Sequence, residues 1–176
     1  MVKSITGKLF SISRKTFFEK ISPKYKTAPF KNMMDYLYVL FEKIGCKIDI
    51  VVKYYLEMYD EIIEKEINMA KISKEQQILI IGSGSIPATP LLISQKTKAK
   101  IVALDCDLNA VKNSSNLLKN KYPSQNIEIQ LSDGKEYTMK NFDYIFVLYG
   151  VKKQKETLKK IYQKINKETQ AILRSP

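Results

Sequence analysis

The sequence predicts an α/β chain: a Rossmann-like, doubly wound parallel sheet of about five strands behind an N-terminal helical segment. Three observations carry that prediction. From residue 76 onward, short apolar runs alternate with helix-length stretches, the pattern of parallel strands joined by crossover helices. The first run, Ile78-Leu79-Ile80-Ile81, breaks into the glycine turn Gly82-Ser83-Gly84. The second ends in Asp105, 23 residues beyond Gly82. The expected division is residues 1–72 as a helical segment and 73–176 as the sheet-bearing, ligand-binding domain.

Taken in order, residues 4–20 form a short amphipathic prelude, and Pro23 and Pro29 argue against helix in the connector that follows. Met33, Met34, Leu37, Leu40, Phe41 and Ile44 then recur at helical spacing up to Gly45, a plausible C′ stop. A longer helix is expected over 48–70. Val51, Tyr55, Met58 and Ile62 form one of its stripes, and Tyr54, Glu57, Glu61 and Glu64 form another. Strand one is 77–81, with an amphipathic helix starting near Pro87; strand two is 100–105, with a helix over 108–120 and Asp107 as its N-cap. Strand three runs from Ile127 to Leu131 and ends at Ser132-Asp133-Gly134. Strand four, Phe142 to Leu148, is almost continuously apolar, as a strand covered on both faces should be. A lysine-rich helix over about 152–165 leads to strand five, Gln170 to Leu173.

A chain of 176 residues accommodates one domain with a proper core. Histidine is absent, which excludes a Ser-His-Asp triad and any histidine–metal mechanism. The two cysteines, Cys46 and Cys106, have no metal-type spacing, and a reduced, cytoplasmic protein is expected. No stretch has the length of a membrane span. The net charge of +12 is concentrated at the ends: residues 1–31 hold eight Lys/Arg against one acid, and 150–176 hold eight against two. Basic ends without an aromatic-basic recognition module read as solvated helix faces, which disfavours a nucleic-acid partner.

The loops after strands one, two and three meet at one sheet edge. Glycines let the backbone of loop one approach a ligand, and its amides near a helix start suit a carboxylate. Asp105 suits two ribose hydroxyls, and Asp133 the exocyclic amine of an adenine. The expected cofactor contacts are therefore Gly82, Ser83, Gly84, Asp105, Cys106, Asp133 and Gly134. A dinucleotide fingerprint wants a third glycine where Pro87 stands, so a pyrophosphate-binding helix is disfavoured.

This arrangement resembles the class I S-adenosylmethionine-dependent methyltransferases, in which the corresponding acids hold ribose and adenine. Within that superfamily, Gly82-Ser83-Gly84-Ser85-Ile86-Pro87-Ala88-Thr89 is similar to the Gly-Ser/Gly-Gly-Pro-Leu-Pro-Leu-Thr segment of nicotianamine synthases. It matches at the first and third positions, the second proline and the threonine. Tyr54-Tyr55-Leu56, Gly150-Val151 and Lys167-Glu168-Thr169 leading into Ile172-Leu173-Arg174-Ser175 extend the likeness over about residues 50–175. Ser85 departs from the family's first proline. The resemblance implies S-adenosylmethionine as cofactor, a small amine or amino acid as acceptor, and transfer of the 3-amino-3-carboxypropyl group.

A sulfonium activates all three attached carbons, so methyl transfer and aminocarboxypropyl transfer differ in which carbon faces the nucleophile. Either asks only a modest base of the protein. Tyr54, Glu57, Glu61, Glu64 and Tyr149 are the candidates, with solvated charge and half-buried packing as their structural readings. Leu148-Tyr149-Gly150-Val151 lacks the Asn/Asp-Pro-Pro-aromatic pattern of base and amide methylation. Cys106 is expected to be half-buried and not a nucleophile. Ordinary small-molecule methyl transfer and a noncatalytic cofactor-binding module are the alternatives. Strand five, near the end of the sequence, is expected to leave an apolar sheet edge, which favours a homodimer or larger assembly that completes the acceptor pocket.

Overall fold

The computed structural model describes residues 45–151 and 153–174. The prelude, the Pro-rich connector and the helix expected up to Ile44 lie outside the described residues, as does most of the segment 1–72. Gly45 is itself helical.

The elements run α1 (Asp49–Ala70), β1 (Gln77–Ile81), α2 (Ala88–Thr97), β2 (Lys100–Asp105), α3 (Leu108–Lys121), β3 (Ile127–Leu131), β4 (Tyr144–Val147), α4 (Gln154–Lys164) and β5 (Gln170–Leu173). The strands form one parallel sheet of five in the order β3-β2-β1-β4-β5. Every strand expected from the sequence is present. The fourth is shorter than expected, because Asp143 and Leu148 continue its backbone hydrogen bonding only at the margins.

The apolar runs explain the layering. Side chains alternate across a strand, so Ile78 and Ile80 of β1 face one layer with Ile101, Ala103, Tyr144 and Phe146. Leu79 and Ile81 face the other with Leu104, Ile145, Val147 and Ile161. Burial of each large side chain of this kind stabilises the fold by roughly 1.5–3 kcal/mol. On the second face α4 supplies Ile161, and the helix-free crossover 132–143 supplies Met139, Tyr137 and Phe142.

The first face has an extra storey. In α2 every residue from Ala88 to Ser94 is buried. It is not the amphipathic segment expected from the sequence, since a helix buried on all sides needs no polar stripe. Its second cover is α1. Val52 and Tyr55 of α1 pack with Ile86, Ala88 and Leu117 near loop one and α3, while Ile63 and Ala70 join the core beneath. The buried stripe of α1 is therefore Val52, Tyr55, Ile63, Glu66 and Ala70. The expected stripe is displaced by about one residue: Ile62 is 45% exposed, and Val51 and Met58 are only half-buried. Periodicity alone favoured the apolar set and passed over Glu66.

Candidate functional site

The strand order reverses between β1 and β4, and in an open parallel sheet the crevice beyond the carboxyl ends at that reversal is where ligands bind. Loop one, residues 82–87, begins there. Gly82 and Gly84 have φ of +86° and +70°, a region that favours glycine. A Cβ on Gly82 would also come within 2.6 Å of Val151 Cγ2, so the Gly150-Val151 turn after β4 closes on the loop.

Loop one is tied to loop two at several points. Leu104 O accepts from the amides of Gly82 (2.8 Å) and Ser83 (3.0 Å). Asp105 Oδ2 accepts from Gly84 N at 2.8 Å, and Asp105 Oδ1 from Asp107 N at 2.9 Å. This corrects one expectation: the amides of Gly82, Ser83 and Gly84 already serve the loop's own architecture and are not held out for a ligand carboxylate. The same bonds aim Asp105. A carboxylate has about four lone-pair sites, so the half-buried group keeps acceptor capacity for two hydroxyls while its plane is fixed. Asp107 caps α3 as expected, accepting from Asn109 N at 2.8 Å.

Ser83 is buried, and its Oγ has no hydrogen-bond partner among the described residues. Ser85 is buried too, its Oγ 3.5 Å from Asn113 Nδ2. Cys106, next to Asp105, is exposed and not half-buried as expected, because it sits where the chain leaves β2 before α3 begins.

Loop three reaches the same edge, with Ser132 N donating to Asp105 O at 3.0 Å. Asp133 is exposed; its Oδ1 accepts from Lys135 N at 2.9 Å and its Oδ2 lies 3.3 Å from Lys135 Nζ. The Lys135 backbone amide, followed by the Lys135 ammonium, holds this carboxyl below its ordinary pKa. Gly134 is buried for a packing reason that sequence reading missed: a Cβ there would meet Ile81 Cγ2 at 2.4 Å.

The helix α1 glutamates lie elsewhere. Glu57, Glu61 and Glu64 are all on the exposed face of α1. Glu61 pairs with Lys65 at 2.7 Å, and Glu64 with Lys96 at 3.4 Å, at the far end of α2 from loop one. As α1 is the outer storey, its polar stripe faces solvent, and these three read as a solvated face and not as acceptor-site bases. Tyr54 is half-buried on the same helix. Tyr149, 44% exposed, follows β4 at the ligand edge.

The acid of α1 that does reach the sheet edge is Glu66. Its carboxylate is gripped side-on by Arg174, with Nε to Oε1 at 2.7 Å and Nη2 to Oε2 at 2.5 Å. Arg174 Nη1 donates to Thr89 Oγ1 at 2.8 Å, and the guanidinium stands 5.8 Å from the Tyr59 ring centroid. This cluster joins α1, the first turn of α2 and the end of β5. The sequence signal for it was the pair Thr89 and Arg174 within the nicotianamine synthase likeness; nothing marked Glu66.

No protein-family profile matches the chain. A curated relative, an L-histidine 2-aminobutanoyltransferase of Yersinia pestis, is 22% identical over 120 residues, which cover 68% of this chain and 45% of the relative. Among solved structures, a nicotianamine synthase variant in complex with S-adenosylmethionine superposes with a TM-score of 0.67 at 15% identity, over 82% of this chain and 58% of that one. An RNA methyltransferase of Salinibacter ruber in complex with S-adenosyl-L-homocysteine gives a TM-score of 0.57 at 14% identity, over 64% of this chain and 73% of that one. The chain thus spans about half the length of the first two. Sheet order, glycine loop and these superpositions agree that the chain has the class I S-adenosylmethionine-dependent methyltransferase fold, in the form it shares with nicotianamine synthase.

Proposed function

We propose that this chain is an S-adenosylmethionine-dependent transferase that moves the 3-amino-3-carboxypropyl group onto the amine of a small amine or amino acid. The observation that carries the cofactor is the Asp105 carboxylate, locked by Gly84 N and Asp107 N at the mouth of the sheet's reversal point. So placed, it receives the ribose hydroxyls, with Cys106 beside it. Loop one, Gly82 to Gly84, lies against the rest of the cofactor, and the unpartnered Ser83 Oγ offers it a hydrogen bond. Asp133, kept ionised by Lys135, takes the adenine amine, and Gly134 lets that turn sit on Ile81.

The cofactor supplies the electrophile; the protein's part is to orient it and exclude water. Attack by the amine consumes the sulfonium charge, and the exposed Tyr149, two residues beyond β4, is the candidate that relays the amine proton to solvent through its hydroxyl. Aminocarboxypropyl transfer is favoured over methyl transfer by the likeness to the Yersinia aminobutanoyltransferase and to nicotianamine synthase. Methyl transfer is the second reading, favoured by the RNA methyltransferase that shares the fold. The acceptor is a small molecule and the protein cytoplasmic; a second copy of the chain completes the acceptor pocket. No described helix is long and apolar enough to cross a membrane.

Calorimetric titration with S-adenosylmethionine, and with NAD as a control, tests the cofactor. Saturable binding of the first and none of the second is expected. The reverse would point to a dinucleotide-binding protein.

A further inference from the structure

The ladder between β4 and β5 ends in a side chain. In the parallel register Tyr144 pairs with Gln170 and Val147 with Leu173, and Arg174 N still donates to Val147 O at 3.0 Å. Bonds in a parallel ladder are evenly spaced, so the next donor to Arg174 O would be Tyr149 N. Gln154 takes that place. Its Nε2 donates to Arg174 O at 3.1 Å and to Leu148 O at 2.9 Å, with Tyr149 O at 3.4 Å. Three carbonyl oxygens around one amide suit only its NH2 end.

The reach of Gln154 follows from its position. It opens α4 shortly after β4 ends, and side chains of a helix lean toward its N-terminus. Lys153 before it has φ +55°, a left-handed conformation that is costly for a residue with a Cβ. Such a conformation persists where its surroundings fix it, and the Gln154 bonds to two strand ends supply that constraint. Freed from β5, the chain beyond β4 keeps to β1 and loop one. Leu148 N donates to Ile81 O at 3.1 Å, and Val151 N closes the turn on Leu148 O at 3.2 Å. Val151 Cγ2 then fills the space over Gly82, 2.6 Å from where a Cβ would stand.

We infer that Gln154 is a positioning residue for the cofactor crevice: by standing in for the Tyr149 amide it parts β4 from β5 and holds the 148–151 turn against the glycine loop. The inference rests on the transferase reading above and gives its crevice a wall on the β4 side, across loop one from Asp105. Gln154 acts through Val151 and the turn, and not by touching the cofactor.

The test uses S-adenosylmethionine as the calorimetric probe. Gln154→Met keeps the length of the side chain and loses both donors. Binding must then order a loosened turn, so affinity should fall about tenfold. Gln154→Lys, whose ammonium can donate to all three carbonyls, should restore most of it. A side chain needed only for packing would give the reverse order, with Met tolerated and Lys not. In a Val151→Ala background, which lacks the contact with loop one, Gln154→Met should add little, because residues acting through one contact are not additive. Amide exchange followed by NMR reports the turn itself: the Leu148 and Val151 amides should exchange about tenfold faster in Gln154→Met, with those of β2 unchanged.

If Gln154→Met binds S-adenosylmethionine as tightly as the wild type, the inference falls. It falls equally if Gln154→Lys is as weak as Gln154→Met, or if the losses in the double variant multiply. If the wild-type chain binds no S-adenosylmethionine, the transferase reading falls and exchange alone judges the clamp. Faster exchange at Leu148 and Val151 would uphold Gln154 as the residue that sets the turn, and unchanged exchange would overturn it.

Discussion

Asp105 Oδ2 and the Gly84 amide lie 2.8 Å apart, joining the end of β2 to the glycine loop after β1. One carboxylate thereby shapes the loop and faces the crevice, so its replacement has two separable effects. Asp105→Asn leaves either Gly84 N or Asp107 N facing an amide NH2 group. It should cost about 1–3 kcal/mol of stability and weaken S-adenosylmethionine about tenfold or more. Chemical denaturation and calorimetry on one preparation measure both. Unchanged affinity with a lowered stability would remove the ribose role and leave the loop anchor.

Gly134 is a packing glycine. Its virtual Cβ is 2.4 Å from Ile81 Cγ2, and Ile81 is buried in β1. Gly134→Ala should cost roughly 1–3 kcal/mol by overpacking. In an Ile81→Ala background the clash has no partner, so the same substitution should cost much less. Equal costs in both backgrounds would show that the backbone, and not Ile81, sets the requirement.

Asp133 carries a pH signature. Its folded pKa is depressed, chiefly by the Lys135 amide, from a reference of 3.8. A depressed carboxyl stabilises the fold above its unfolded pKa and loses that contribution as pH falls through the folded value. Asp133→Asn should therefore cost a little at pH 7, below about 1 kcal/mol because the group is half exposed. The gap between variant and wild type should close in acid. A gap that persists at pH 2 would mean the effect is not ionic.

The Glu66–Arg174 pair tests the storey formed by α1 over α2. Removing one partner of a buried pair is expensive, so Arg174→Met should cost about 3–5 kcal/mol. Replacing both, as in Glu66→Leu with Arg174→Met, should recover most of that loss, because two apolar groups need no desolvated partner. Urea denaturation of the single and double variants decides it. A double variant as unstable as the single one would show that the pair is not an isolated unit.

These residues mark where sequence reading succeeded and where it stopped. Strand positions were legible because a parallel sheet covered on both faces demands unbroken apolar runs, as in Ile78 to Ile81, and Asp107 was legible because an N-cap is a local signal. Asp105 was singled out by its distance from the glycine loop, and its bond to Gly84 N in that loop is what the fold adds. The burial of α2 and the outer position of α1 were not legible: a short apolar helix has no stripe from which to read its neighbours, and the glutamates Glu57, Glu61 and Glu64 follow the same spacing whether they face a site or water. Glu66 was missed because its partner, Arg174, is distant in sequence. The occupation of the loop-one amides by Leu104 O and Asp105 belongs to the tertiary fold alone.

The central claim is that an amine attacks the aminocarboxypropyl carbon of S-adenosylmethionine held at Asp105. The most direct measurement is chromatography of the cofactor product after incubation with the chain and a panel of amino acids. The account predicts methylthioadenosine, formed in step with a heavier amino acid. S-adenosylhomocysteine in its place would contradict the account and establish methyl transfer.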